Sequence, residues 1–285
     1  MWILFAAGSA VFAGLTSIFA KVGTENVNSN LLTAIRTAVV LVFSWIMVII
    51  TGQLDSIAAI TPAELLFICL SGGATGASWL CYFKALQLGN VNKVVPIDKL
   101  SAVLTMILAV IFFGEPFGVF SAVGTALIVI GTLLMISRKA DTEEKSRAWL
   151  IYALLSAVFA SLTAILAKVG MQNVPSNLAT AIRTIVVLII AWGIVIGRHE
   201  LHEIRTINRK GWVFTLVSGL FTGLSWLCYY RAIKDGIASI VVPIDKLSIV
   251  ITVVVSAIFL HEKVSVKQII GLALLVGGTL TLLIK

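Results

Sequence analysis

The chain has 285 residues, 59% of them hydrophobic and 12% charged, with a mean hydropathy of +1.07. A water-soluble domain of that composition lacks the polar surface to cover its core, so the solvent is lipid. The formal net charge of +8 sits at helix ends and in short loops, which argues for membrane topology and against a nucleic-acid partner.

Apolar runs fall near Trp2 to Ala20, Leu31 to Ile50, Ala63 to Leu86, Val94 to Phe113 and Phe117 to Ile136. A second set follows near Trp149 to Ala167, Leu178 to Ile196, Trp212 to Ile233, Ile240 to Leu260 and Val266 to Ile284. Each approaches the roughly 20 residues that a helix needs to cross a bilayer core, which predicts ten transmembrane helices, five per half. The first run has no basic residue before it and matches the internal run at Trp149, so it reads as a retained helix rather than a cleaved signal. Cys69, Cys81 and Cys228 lie inside apolar runs without metal-ligand spacing and read as packing residues.

The second set restates the first without a gap. Ser9-Ala10-Val11-Phe12-Ala13 returns as Ser156-Ala157-Val158-Phe159-Ala160, Ser78-Trp79-Leu80-Cys81-Tyr82 as Ser225-Trp226-Leu227-Cys228-Tyr229, and Pro96-Ile97-Asp98-Lys99-Leu100-Ser101 as Pro243-Ile244-Asp245-Lys246-Leu247-Ser248. Roughly half of the aligned positions are identical, far more than a shared apolar alphabet produces. The expected organisation is a first repeat over 1–138, a basic linker over 139–147 and a second repeat over 148–285. Repeats within a membrane chain are common in transporters, where they surround a common path.

Five helices begin on one side of the membrane and end on the other, so the second repeat must be inverted. The loop from Thr51 to Pro62 has no Lys or Arg, whereas its counterpart carries Arg198, Arg205, Arg209 and Lys210. Lys263 and Lys267 likewise appear only in the second copy of the fourth-to-fifth helix junction. With the basic linker, these place the linker in the cytoplasm and both termini outside, against the vote of Lys168, Arg231, Lys234 and Lys285.

The junction Phe112-Phe113-Gly114-Glu115-Pro116 with Gly124 and Gly131, repeated as Phe259-Leu260-His261-Glu262-Lys263 with Gly271 and Gly278, resembles the EamA-type repeat of the drug/metabolite transporter superfamily. The second copy lacks the Gly and Pro around Glu262. Ala34-Ile35-Arg36-Thr37 and the two tracts containing Trp79 and Asp98 are similar to those of short single-repeat members that pair head to tail. The resemblance implies an all-α integral membrane protein of the cell membrane, with ten transmembrane helices as two inverted five-helix repeats around a central cavity. It further implies transport of small metabolites, often outward. One chain then holds both partners, so a monomer contains the full path, and a homodimer remains open.

Gly124, Gly131, Gly271 and Gly278 are expected to serve close helix packing. Charges near the bilayer centre cost on the order of 3 kcal/mol on insertion scales, so retained ones need a partner or a wet cavity. Lys21, Arg36, Lys84, Asp98 and Lys99, with Lys168, Arg183, Arg231, Asp245 and Lys246, are the gate or coupling candidates. Their alternative is anchoring at headgroups or permanent ion-pair networks. Arg36 and Lys84 are the expected partners of Asp98, and Arg183 and Arg231 those of Asp245. Ser78, Trp79, Tyr82 and Pro96, with Ser225, Trp226, Tyr229 and Pro243, are the substrate-cavity candidates; an aromatic seam and ordinary kink prolines are the alternatives.

These readings predict a secondary transporter of a small polar or amphipathic metabolite, amino-acid-like or cationic, working by alternating access. No catalytic residue, metal or cofactor is expected, and the proton is the candidate coupling ion through Asp98 or Asp245. A flippase for a lipid-linked sugar or phosphate is the first alternative, and an intramembrane enzyme or assembly factor the second.

Overall fold

The computed structural model describes residues 1–23, 28–88, 94, 97, 100–134, 148–259 and 265–284, with the backbone alone at 21–23, 83, 86, 87, 256 and 259. The linker 139–147, Pro96, Asp98, Lys99, Glu262 and the side chain of Lys21 lie outside the described residues.

The first half contributes α1 (Trp2–Gly23), α2 (Ser29–Ile50), α3 (Pro62–Leu88), α4 (Ser101–Phe113) and α5 (Val119–Leu134). The second contributes α6 (Ala148–Gly170), α7 (Ser176–Gly197), α8 (Arg209–Asp235), α9 (Ala238–Lys246), α10 (Ser248–Phe259) and α11 (Val266–Thr281). Short 3-10 helices follow α2 at Leu54–Ala59 and α7 at Glu200–Thr206. The described chain is all helical, and 7 helical segments are long and apolar enough to cross a membrane. Leu66, Phe112, Ile151 and Ile189 are exposed on the outer surface, as a lipid-facing surface requires.

Each of the ten expected runs contains helix, but not every helix has the expected length. The described α4, α5 and α11 have 13, 16 and 16 residues. At 1.5 Å per residue they fall short of a core about 30 Å thick. The ninth run is broken between α9 and α10. Pro243, which has no amide to donate, lies inside α9, and the break comes four residues later, where Leu247 N bonds to Ile244 O at 3.0 Å, a three-residue link. The first copy has the same link, from Leu100 N to Ile97 O at 3.1 Å.

Packing runs chiefly between the halves. α1 lies against α8, and their counterparts α6 and α3 lie against each other; α2 packs on α7, and α5 on α11. Glycines set the closest of these approaches. A Cβ on Gly124 would stand 2.8 Å from Gly278 O, and one on Gly131 would stand 2.6 Å from Gly271 O, so α5 and α11 touch backbone to backbone. Because 124 meets 278 and 131 meets 271, these equivalent helices run antiparallel. α2 and α7 do likewise: Leu31 and Leu32 cluster with Ala191 and Val195, while Val48 clusters with Leu178 and Ala179.

A second glycine pair carries no expectation from the sequence. A Cβ on Gly72 would lie 2.8 Å from Arg183 O, and one on its counterpart Gly219 would lie 3.3 Å from Arg36 O. α3 therefore approaches the Arg183 turn of α7 more closely than a side chain permits, and α8 does the same against Val39, within one turn of Arg36 on α2.

Candidate functional site

A cavity of about 360 Å3 opens between the halves. Its lining comes in repeat-related pairs: Arg36 with Arg183, Thr75 with Thr222, Ser78 with Ser225, and Trp79 with Trp226. Tyr229, Asp245 and Lys246 complete the polar wall on the side of the second half. Two of these hydroxyls bond back along their own turn, Thr75 Oγ1 donating to Ser71 O at 3.1 Å and Thr222 Oγ1 to Ser218 O at 2.7 Å. Ser9 and Ser225 tie α1 to α8 with 3.2 Å between hydroxyls, and Ser156 and Ser78 tie α6 to α3 at 3.2 Å.

Arg183 is fully buried. Its Nε donates to Ser71 Oγ at 3.4 Å and its Nη2 to Thr75 Oγ1 at 2.7 Å, both across the interface on α3. The guanidinium also lies over the rings of Tyr230 at 4.3 Å and Trp226 at 5.2 Å, where ring quadrupoles attract a cation. Nη1 is buried without a hydrogen-bond partner, as is Nε of Arg36. Arg36 as a whole is only partly buried.

Asp245 accepts from Ser9 Oγ at 2.6 Å across the halves. Its expected ion pair with Arg183 or Arg231 does not form. Arg183 is engaged by hydroxyls and rings, and Arg231 turns outward to pair with Asp235 one turn away on α8. The gate or coupling candidates Lys168, Arg183, Arg231 and Asp245 thus separate into cavity residues, a surface pair and a latch outside the cavity lining.

That latch is centred on Glu115, in the turn between α4 and α5. Its Oε1 lies 2.7 Å from Lys168 Nζ at the end of α6 and accepts from Ala238 N at 2.8 Å, while Oε2 accepts from Ser239 N at 2.8 Å. Lys168 also donates to Gly236 O at 2.7 Å. The carboxylate therefore caps the positive end of α9 and holds two segments of the opposite half. Burial pushes the Glu115 carboxyl up, but Lys168 and the bonds from Ser239 and Ala238 outweigh it and hold the group below the ordinary glutamate value. The sequence marked Glu115 only as part of a recognisable turn; its partners come from the other half, out of reach of local spacing.

The remaining described candidates lie away from the cavity lining. Tyr82 packs in a cluster with Ala85, Val94 and Ala153, unlike its counterpart Tyr229. Pro243 is buried within α9, and Lys84 is exposed at the end of α3. Among the described residues, no group of three or more His, Cys, Asp or Glu side chains is placed to hold a metal ion.

The chain is similar to an uncharacterized transporter in the cobO 3′ region of a Sinorhizobium species, with 46% identity over 134 residues covering 47% of this chain and 95% of the relative. It is also similar to an uncharacterized protein of Methanocaldococcus jannaschii, with 31% identity over 139 residues covering 48% of this chain and 96% of the relative. Each of these relatives is matched almost whole by about half of this chain. An uncharacterized transporter of Archaeoglobus fulgidus shares 24% identity over 206 residues, covering 72% of this chain and 70% of that protein. A solved protein crystal structure has a similar fold, with a TM-score of 0.75 at 16% identity over 97% of this chain and 94% of that one. Residues 1–137 and 147–284 match the profile of the EamA-like transporter family, and the chain is a multi-pass membrane protein of that family.

Proposed function

We propose that the chain is a secondary transporter carrying a small polar, amino-acid-like metabolite by alternating access between two inverted five-helix repeats. The observation that carries this reading is the unlike state of two equivalent arginines in one cavity. Arg183 is sealed against α3, whereas Arg36, its counterpart, is partly open. Two copies of one sequence held in different arrangements around a shared cavity are what a rocking mechanism needs, because exchanging the arrangements opens the opposite end.

In this reading the bond between Glu115 and Lys168 closes one end of the path. The equivalent sequence positions are Glu262 and Lys21, which would close the other end when the first latch releases. Loop charge puts the Glu115 latch outside, with the linker 139–147 in the cytoplasm and both termini outside. One chain supplies both halves of the cavity, so a monomer suffices for the path. Asp245 is the candidate proton carrier.

Proteoliposomes containing the purified chain, loaded with a metabolite extract and sampled for efflux and uptake, test the proposal. Saturable downhill movement of a small polar metabolite, absent from empty liposomes, is expected. Passage of lipid-linked sugars alone would instead favour the flippase.

A further inference from the structure

We infer, on the reading that this cavity is the transport path, that Arg36 and Arg183 form an oxyanion site and that the substrate enters with a carboxylate or phosphate group facing them. An arginine cannot shed its proton to escape burial, so each guanidinium brings a fixed positive charge into the cavity. Arg183 spends two of its donor nitrogens on the neutral hydroxyls of Ser71 and Thr75 and leaves buried Nη1 unpartnered. Buried Nε of Arg36 is unpartnered as well. Hydroxyls and ring faces supply dipoles, not a countercharge.

Among the described lining residues Asp245 is the one carboxylate, against Arg36, Arg183 and Lys246. Asp245 is already engaged by Ser9. An excess of positive charge with open donors is matched by an oxyanion, which accepts several N–H bonds at once from planar guanidinium groups. Among the described lining residues a cationic substrate would meet two fixed positive charges and one carboxylate. Trp79 and Trp226 leave room for an apolar or amphipathic body beside the anionic head.

The test uses the full chain with Cys69, Cys81 and Cys228 replaced by Ser and one reporter, Ala160→Cys, in the cavity wall. Three thiosulfonate reagents are compared, one neutral, one carrying a sulfonate and one a trimethylammonium, each rate normalised to that on free thiol. Expected is faster modification by the sulfonate than by the ammonium reagent, by about tenfold or more, since a charged low-dielectric cleft concentrates counter-ions. That preference should collapse in Arg36→Gln and in Arg183→Gln. Because Arg36 is only partly buried, Arg36→Gln carries the comparison if Arg183→Gln fails to fold. Slowing of the reaction by pyruvate marks a carboxylate substrate head, and slowing by inorganic phosphate a phosphate head. A faster ammonium reagent, or a sulfonate preference unchanged in the arginine variants, overturns the oxyanion site and leaves the transport path standing. No reaction with the neutral reagent removes the open cavity and both readings with it.

Discussion

Ser9 and Ser225 meet across the halves with 3.2 Å between their hydroxyl oxygens, and their sequence counterparts Ser156 and Ser78 meet at the same separation. Exchanging the copies therefore returns the same contact, and the duplication is expressed as packing. Departures from that exchange then carry information. Ser225 Oγ donates to Ser9 O at 3.2 Å and Ser78 Oγ to Ser156 O at 3.1 Å, a matched pair, whereas Arg183 and Arg36 differ in burial. The scaffold is symmetric where helices cross and asymmetric where the cavity opens.

The glycine crossing is expected to tolerate no added carbon. Gly131→Ala would place Cβ 2.6 Å from Gly271 O, and backbone cannot move aside as a flexible side chain does. A loss of about 1–3 kcal/mol follows, seen as a lower midpoint of thermal unfolding in detergent. Gly277→Ala, where a Cβ meets nothing within 4 Å, should leave the midpoint level or raise it.

Lys168→Met should loosen the closed end. The pair it breaks is largely buried, with side-chain exposures of 17% and 7%, so Glu115 is left as a lone charge whose remaining bonds come from Ala238 and Ser239. A cysteine reporter at Ile240 should react about tenfold faster with a water-soluble thiol reagent in that variant. Arg231→Ala, which removes an exposed pair one turn long, should change the same rate by less than about twofold.

The latch has a pH dependence whose sign follows from Glu115. Its carboxyl is held below the ordinary glutamate value when the latch is closed, so closure is favoured above that ordinary value and weakens as pH falls through the depressed one. The Ile240 reporter rate, divided at each pH by that of a free thiol, should be level across neutral and mildly acidic pH and rise only at more acidic pH. In Glu115→Gln the same normalised rate should be raised and flat.

Asp245→Asn should leave the protein folded, since Asn still accepts from Ser9, but should slow net transport and remove any pH dependence that this carboxylate carries. Asp98→Asn should bias the opposite opening. Transport assays paired with cavity-cysteine accessibility on the two faces check both; normal transport with unchanged accessibility would make these carboxylates structural.

The apolar runs made the helices legible, and the spacing of Gly124 and Gly131 and of Gly271 and Gly278 made close packing legible, but that these two glycine faces meet each other was not. Of the expected stripe, Ser78, Trp79, Ser225, Trp226 and Tyr229 line the cavity, whereas Tyr82 packs with Ala85, Val94 and Ala153. Other features depend on the other half. Arg183 finds Ser71 and Thr75, and Lys168 finds Glu115, through contacts more than fifty residues long in sequence, which periodicity within one helix does not encode. The break at Leu247 was half legible: Pro243 marked a disturbed turn, but the helix continues past the proline before it breaks.

The most direct measurement is sidedness. Single cysteines at Ser56 and His202, in the exposed turns after the equivalent helices α2 and α7, are placed in the cysteine-free chain in intact cells and labelled with a membrane-impermeant thiol reagent. Inverted halves predict that Ser56→Cys labels from outside and His202→Cys only after the membrane is opened. Labelling of both from the same side would contradict the inverted arrangement, and with it a path shared by two halves that open in turn.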